Sequence, residues 1–562
     1  MKMRVSLVAA ALILGKATFA QSVEDGKRFL YYERYQSAKD AFQKALAGKP
    51  NDGEITFWLG QAEMGLKDSV GAKDLYQKVS TNTNDPWALI CAGELELKDG
   101  KNADARNHFE TAISLTKARD ANVLAGVAKV NIDVPSGDAN YAIEKLNQAI
   151  EREKKHVESA LYVALGDAYA KLIDGGNAVT NYNNALQADP KYAAAHYKIG
   201  LIYETQRNPT QYVPEYEAAI QADPNFAPAY YRLYVHYYSR DVEKSKDYLT
   251  QYTAHADPGP LVDQANVDIL YASQHFQEAI DKSKALLPNT PDAFKPHYYK
   301  LMAYSDDSLR SYNDAKTNID TYFSHPDDSL TAKNYQEAAH IYYKGGFSQD
   351  SIFAFLRKAI AMDTLQANKD AYVQYAAALS DSLHDPVQKA YWVGQVYLMD
   401  KEPNPNDLYN WGSQLFTTAD TLRARDVQAT GISNPYYIKA DSVFGMYIDK
   451  FPNYSVYGYY WRARANWALD TAMDKGLAVP YFEKMITTAT SSKDSATFVQ
   501  QIEVGLQYMI QYYFKKKDYK NALDYINKFL VYDPTNETFK HYKDVLEKYF
   551  ARQTGGGGKS GK

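Results

Sequence analysis

Apolar residues recur along this chain in triplets spaced i, i+4, i+7. Ala38, Phe42 and Ala45 stand 34 residues before Ala72, Tyr76 and Val79, and 33 further on come Ala105, Phe109 and Ala112. Ala142, Leu146 and Ala149, then Ala178, Tyr182 and Ala185, then Tyr212, Tyr216 and Ala219 extend the series. The spacing places each triplet on one face of a helix, and Pro50, Pro190 and Pro224 fall where such a helix must already have ended. A first helix precedes each of these, marked most clearly by Tyr162, Leu165, Gly166 and Tyr169 and earlier by Leu59 and Gly60. Two antiparallel helices approach closely only where one offers a small side chain, which predicts that these glycines face the second helix of their pair. A chain of 562 residues is too long for one core, so a period this regular predicts an array that grows by stacking helical pairs.

The pattern Tyr162, Leu165, Gly166, Tyr169, Ala178, Tyr182, Ala185, Pro190 resembles the tetratricopeptide repeat family. The resemblance implies an all-α solenoid, a right-handed superhelix of about 10–13 helical hairpins with a concave face. In the later half the stripes are less regular: Ala315, Ile319, Tyr322; Ile352, Leu356, Ala359; Ala440, Phe444, Tyr447; and Ala522, Ile526, Phe529. His275 to Pro288 and Asn368 to Leu398 read as degenerate helical pairs, and Glu537 to Tyr549 as a C-terminal capping helix. Turn formers at Ala256–Pro260 and Glu402–Asp407 predict joints. The expected organisation is therefore a signal peptide at 1–20, an N-terminal lobe at 21–255, a central lobe at 261–400, an irregular linker at 401–430, a C-terminal lobe and cap at 431–550, and a flexible Gly-rich tail at 551–562.

The N-terminus changes the setting. Lys2 and Arg4 precede an apolar run from Val5 to Leu14, and Thr18-Phe19-Ala20 offers a small-residue cleavage site, so export with cleavage near Ala20 is expected. No later stretch approaches the roughly 18 apolar residues of a membrane span. Cys91 is the only cysteine, which excludes an intrachain disulfide framework and Cys-based metal sites and favours a bacterial periplasm over eukaryotic secretion. Loss of Lys2, Arg4 and Lys16 with the leader leaves 60 basic residues against 68 acidic ones, a formal charge of −8 and no electrostatic footprint for nucleic acid.

Candidate chemistry is sparse. The tail run from Gly556 to Gly561-Lys562 lacks the following helix of a phosphate loop, and the 11 His residues show no ligand spacing, so no cofactor or metal is expected. His196, His236, His297 and His340 are expected to be packing residues on first helices. Asp-Ser/Thr-apolar triplets such as Asp307-Ser308-Leu309, Asp350-Ser351-Ile352, Asp363-Thr364-Leu365, Asp441-Ser442-Val443 and Asp470-Thr471-Ala472 read as helix-start chemistry, and they also resemble the O-glycosylation triplet of exported Bacteroidetes proteins. Of the 50 tyrosines, those on second helices fill the core; Tyr197, Tyr231 and Tyr238, with Asp167, Lys171 and Glu204, are expected on the concave face as a partner-binding set. Val163 and Asp167 stand where a peptide-carboxylate clamp would need basic and amide side chains. The stretches Tyr459–Ala465 and Gly476–Glu483 are similar to a segment of large periplasmic repeat proteins of Bacteroidetes. Together these imply a non-enzymatic periplasmic scaffold for protein or peptide partners, in a TonB-type energy-transduction or transport assembly. The alternative is a glycan- or nutrient-capture protein that works with a TonB-dependent transporter.

Overall fold

The computed structural model describes residues 22–153, 156–327, 329–400, 402 and 404–555; the expected leader at 1–20 and the tail from 556 lie outside them. The described residues form helices and no sheet, as the periodicity predicts, and they fall into two compact units that divide at Asp327 and Asp328. In the first unit the helices pair in sequence: α1 (22–31) with α2 (Tyr35–Gly48), α3 (Gly53–Gly65) with α4 (Ser69–Val79), α5 (Pro86–Lys98) with α6 (Asn102–Leu115), α7 (Ala121–Asp133) with α8 (Ala139–Glu153), and α9 (Ser159–Lys171) with α10 (Gly175–Ala188). The series continues with α11 (Ala193–Thr205) and α12 (Pro209–Ala222), α13 (Ala227–Tyr237) and α14 (Val242–His255), α15 (Pro260–Ala272) and α16 (Phe276–Leu286), and α17 (Lys295–Ser308) and α18 (Tyr312–Ser324). The second unit pairs α19 (Ala332–Lys344) with α20 (Gln349–Met362), α21 (Gln366–Ser382) with α22 (Pro386–Met399), α23 (Pro405–Arg425) with α24 (Asn434–Lys450), α25 (Ser455–Leu469) with α26 (Val479–Thr490), and α27 (Val499–Lys515) with α28 (Tyr519–Tyr532), before the last helix α29 (Glu537–Gly555). That makes nine and five hairpins among the described residues, slightly more than the spacing suggested.

Every predicted stripe is interior. Ala38, Phe42, Ala45, Ala72, Tyr76, Ala105, Ala112, Ala178, Ala185, Tyr216 and Ala219 are fully buried, and the later triplets from Ala315 to Phe529 are buried equally well. The glycine prediction also holds: a Cβ on Gly60 would lie 2.1 Å from the Tyr76 ring, one on Gly166 2.3 Å from Tyr182, and one on Gly200 2.5 Å from Tyr216. Helix starts are set by aspartates, with Asp52, Asp68, Asp120 and Asp174 accepting from backbone amides of the first turn. Most hairpin turns contain one residue in the left-handed region, and several are not glycine, among them Lys67, Ile173 and Arg207 at φ 62°, 62° and 54°. At the far end Leu546 of α29 is buried and Phe539 packs 4.5 Å from Phe529, so α29 covers the last hairpin as a cap does.

Three organisational expectations need correction. Ala256–Pro260 is only the connection between two hairpins: Tyr234, Leu249, Ala265 and Ile269 pack into one cluster across it, and the Tyr238 hydroxyl donates to the Asp268 carbonyl at 3.0 Å. Turn formers end a helix without interrupting the stacking. The stretch 401–430 is not an irregular linker, because α23 fills most of it and buries Leu408, Trp411, Leu415 and Ala419. Asn404, Pro405 and Asp407 are its start, with the Asn404 side chain accepting from the amides of Asn406 and Asp407, and Asp407 accepting from the Asn404 amide. Finally, helix α29 continues through 551–555, so that part of the expected tail is helical.

Candidate functional site

The residues expected on the concave face of the first unit are brought together, but as internal fastenings. Tyr197 on α11 is only 6% exposed, its ring centroid 5.8 Å from Tyr216 and 5.4 Å from Phe226. Burial, with Glu33 adding to it, pushes its phenol up to about 12. Tyr231 packs 5.1 Å from Tyr252, and Tyr238 spends its hydroxyl on α15. The acids link hairpins: Asp167 on α9 accepts from the Tyr182 hydroxyl of its own hairpin at 2.8 Å and from Lys198 of the next at 3.0 Å. Glu204 on α11 repeats this with the Tyr216 hydroxyl and, at 3.6 Å, Arg232 on α13. Gln61 forms a related rung, donating to the Tyr76 hydroxyl at 3.0 Å and to Glu94 at 3.1 Å. Lys171 donates to the carbonyls of Asn131, Ile132 and Val134, closing the C-terminal end of α7. Periodicity places these residues on first helices or at their ends. It is silent on the length of the tyrosines, whose hydroxyls reach the polar ladder while their rings fill the core.

A second observation was not legible in the sequence at all. The turn that joins α1 to α2 lies against helices 160 to 220 residues away within the same unit. The Tyr31 ring packs 5.3 Å from both Tyr192 and Phe226, and its hydroxyl accepts from the Ala194 amide at 3.3 Å. Tyr32 donates to Asp223 at 2.9 Å, Arg34 pairs with Asp257 at 3.0 Å, and the Ser37 amide and hydroxyl both donate to Asp257. The Glu33 carboxylate reaches solvent yet is walled by protein. That crowding raises its pKa despite the opposing charges of Lys198 and Arg232. Lys198 feels the same crowding, but Asp167, Glu33 and Asp133 together hold its pKa above the ordinary lysine range. Charged side chains from the α1–α2 turn, α7, α9 and α11 therefore act on one another.

The second unit also presents partly exposed aromatics. Tyr459 on α25, Tyr481 on α26, Tyr513 on α27 and Tyr525 on α28 are each only half-buried. Tyr513 and Tyr525 stack at 5.5 Å and 19°. Cations lie over these rings, Arg462 at 4.4 Å from Tyr481 and Lys528 at 4.6 Å from Tyr525. Arg462 is itself fixed by Asp441, which accepts from Nε at 2.8 Å and from Nη2 at 3.1 Å. Arg462, Tyr481 and Glu483 lie in or beside the two stretches singled out in the sequence.

The remaining candidates resolve into packing. His196 meets Glu215 at 2.8 Å, His236 the Tyr212 hydroxyl at 2.8 Å, His297 Asp268 at 2.6 Å and His340 the Tyr375 hydroxyl at 3.4 Å. Of the Asp-Ser/Thr triplets, Asp350 and Asp363 do stand at helix starts, whereas Asp441 lies in mid-helix against Arg462. Asp470 follows α25 and accepts from the amides of Asp474, Lys475, Gly476 and Leu477, shaping the loop that leads to α26. Among the described residues no group of three or more His, Cys, Asp or Glu is placed to hold a metal ion, and no helix is long and apolar enough to cross a membrane.

Stacked antiparallel hairpins, several of them with a glycine facing an aromatic across the pair, define an α-hairpin solenoid. The tetratricopeptide repeat model matches residues 24–85 and a second model of the same repeat matches 174–206. Those two stretches resemble tetratricopeptide repeats, and the helices between and after them are likewise paired in sequence. No curated protein matches the sequence significantly. Among solved structures, the C-terminal part of a TPR repeat-containing protein from Cytophaga hutchinsonii is 23% identical, covering 50% of this chain and 98% of that one with a TM-score of 0.26. Yeast Tom70 is 14% identical over 66% of this chain and 91% of its own, with a TM-score of 0.31.

Proposed function

We propose that this chain is a scaffold that binds protein or peptide partners, exported to the periplasm and acting in an outer-membrane transport or TonB-type energy-transduction assembly. The carrying observation is the surface of α25–α28. Half-exposed tyrosines held rigidly by stacking and by overlying cations bury contact area at low entropic cost, the composition typical of the centre of an interface. A repeat array lays out such a surface along several hairpins. Export and the envelope setting rest on the basic-then-apolar order of residues 1–20.

The test is recovery of partners from native envelope by the full chain and by the Tyr459→Ser, Tyr525→Ser pair. These side chains are half-exposed, so the fold is expected to survive, and the partner is expected to be lost. Undiminished recovery by the variant rejects this surface, and saturable binding of an oligosaccharide in calorimetry, abolished by the same pair, replaces the scaffold reading with glycan capture. Alanine at Tyr197 is a poor probe because that ring is buried and its loss would disturb packing first.

A further inference from the structure

We propose that the edge of the first unit formed by the α10–α11, α12–α13 and α14–α15 connections is a docking surface whose present occupant is the chain's own α1–α2 turn, which straps the unit shut. The closure is independent of the scaffold reading; only the idea that an external segment can replace the strap rests on it. Three kinds of contact carry it. The Tyr31 ring inserts between Tyr192 and Phe226, as a partner's aromatic anchor would. Hydrogen bonds from Tyr32 to Asp223 and from Ala194 to Tyr31 fix the backbone around that anchor. Arg34 and Ser37 then converge on one carboxylate, Asp257, which is 13% exposed and stands in the connection between α14 and α15.

These contacts differ in kind from those that build the solenoid. Each hairpin is held to its neighbours by buried Ala, Tyr and Phe stripes, whereas the strap is held by two partly buried tyrosines, Tyr31 and Tyr32, and a few polar bonds between residues far apart in sequence. Its own hairpin keeps a separate anchorage, since Ala38, Phe42 and Ala45 pack with Ile55, Leu59 and Ala62 of α3. The end of α1 and the start of α2 can therefore swing away from these connections together while α2 stays packed on α3. The face uncovered would take a segment with the strap's own chemistry, adjacent aromatics followed by an acid and a base.

The experiment places spin labels on the full chain at Gln36→Cys and Thr253→Cys, both at exposed positions; Cys91 is fully buried and stays unlabelled. Pulsed dipolar spectroscopy should give one short distance for the closed strap. Arg34→Glu, which sets like charges against each other at Asp257, is expected to move the closed-to-open ratio about tenfold toward longer distances with unchanged helicity. Tyr31→Ala is expected to act in the same direction, and Arg34→Glu combined with Asp257→Arg to restore the short distance. An unchanged distribution in both single variants overturns the proposal, as does opening that occurs only with loss of helix signal or that the charge exchange does not reverse.

Discussion

Replacing Gly166 by alanine sets two physical effects against each other with opposite signs. In the interior of α9 alanine is favoured over glycine by about 1 kcal/mol of helix propensity. Against this, the new Cβ would lie 2.3 Å from Cε1 of Tyr182, a side chain that is 1% exposed. Forcing a methyl into a packed crossing costs about 1–3 kcal/mol. The ring has little freedom to retreat, because its hydroxyl is bound to Asp167 at 2.8 Å, and losing a hydrogen bond to a charged group costs about 1.5–3 kcal/mol more. The net expectation is a destabilisation of about 0–2 kcal/mol if the Tyr182 hydrogen bond survives and about 1.5–5 kcal/mol if it is lost. Gly176→Ala is the control within the same hairpin, since its Cβ would find only the Asp174 carboxylate at 3.7 Å; it should be neutral or stabilising by up to about 1 kcal/mol. Urea unfolding followed by circular dichroism, with hydrogen exchange resolving α9 and α10, measures both. If Gly166→Ala proves as stable as Gly176→Ala, the close-approach account of these crossings is wrong.

Three further outcomes are expected. Ile173 is a β-branched residue at φ 62° and 93% exposed, so Ile173→Gly should relieve backbone strain and raise stability by about 1 kcal/mol in the same urea assay. Burial pushes the phenols of Tyr192, Tyr298, Tyr437, Tyr447 and Tyr508 up to about 12. A group whose folded pKa is raised contributes stability that is full below its unfolded pKa and lost as pH rises toward the folded value, so absorbance at 295 nm should show a block of tyrosines that ionises only above about pH 10 and together with unfolding. Arg462→Lys keeps the charge but loses the two-pronged grip on Asp441 and the contact with Tyr481, and should lower the stability of the second unit by about 1–2 kcal/mol in thermal melts.

Much of the fold was legible because burial in a hairpin array is local. Ala178, Tyr182 and Ala185 announce a helix face within eight residues, and Gly166 announces its partner. Helices α14 and α16 were harder to see because fully buried serines interrupt their stripes, Ser245 where the regular units carry alanine and Ser283 where they carry Phe, Tyr or Leu; their hydroxyls donate to the carbonyls of Tyr234 and Ala279. The start of α23 was misread because Asn404-Pro405-Asn406-Asp407 is turn chemistry and helix-capping chemistry at once, and only the buried stripe from Leu408 to Ala419 separates them. The candidate residues were legible in type and in the helices that carry them but not in role. Asp167, Glu204 and Lys171 do lie where the period puts them, yet each meets a group on another helix at a distance that no one-dimensional pattern encodes. The strap is the extreme case, with Arg34 and Asp257 joined across 223 residues.

The most direct measurement is photocrosslinking in the native host, with a photoreactive residue at Tyr525 or Tyr459 in one set of cells and at buried Tyr197 in another. The account predicts one recurring protein adduct from the positions on α25–α28 and none from position 197. Adducts confined to position 197, or none from the aromatic surface of the second unit, would contradict it.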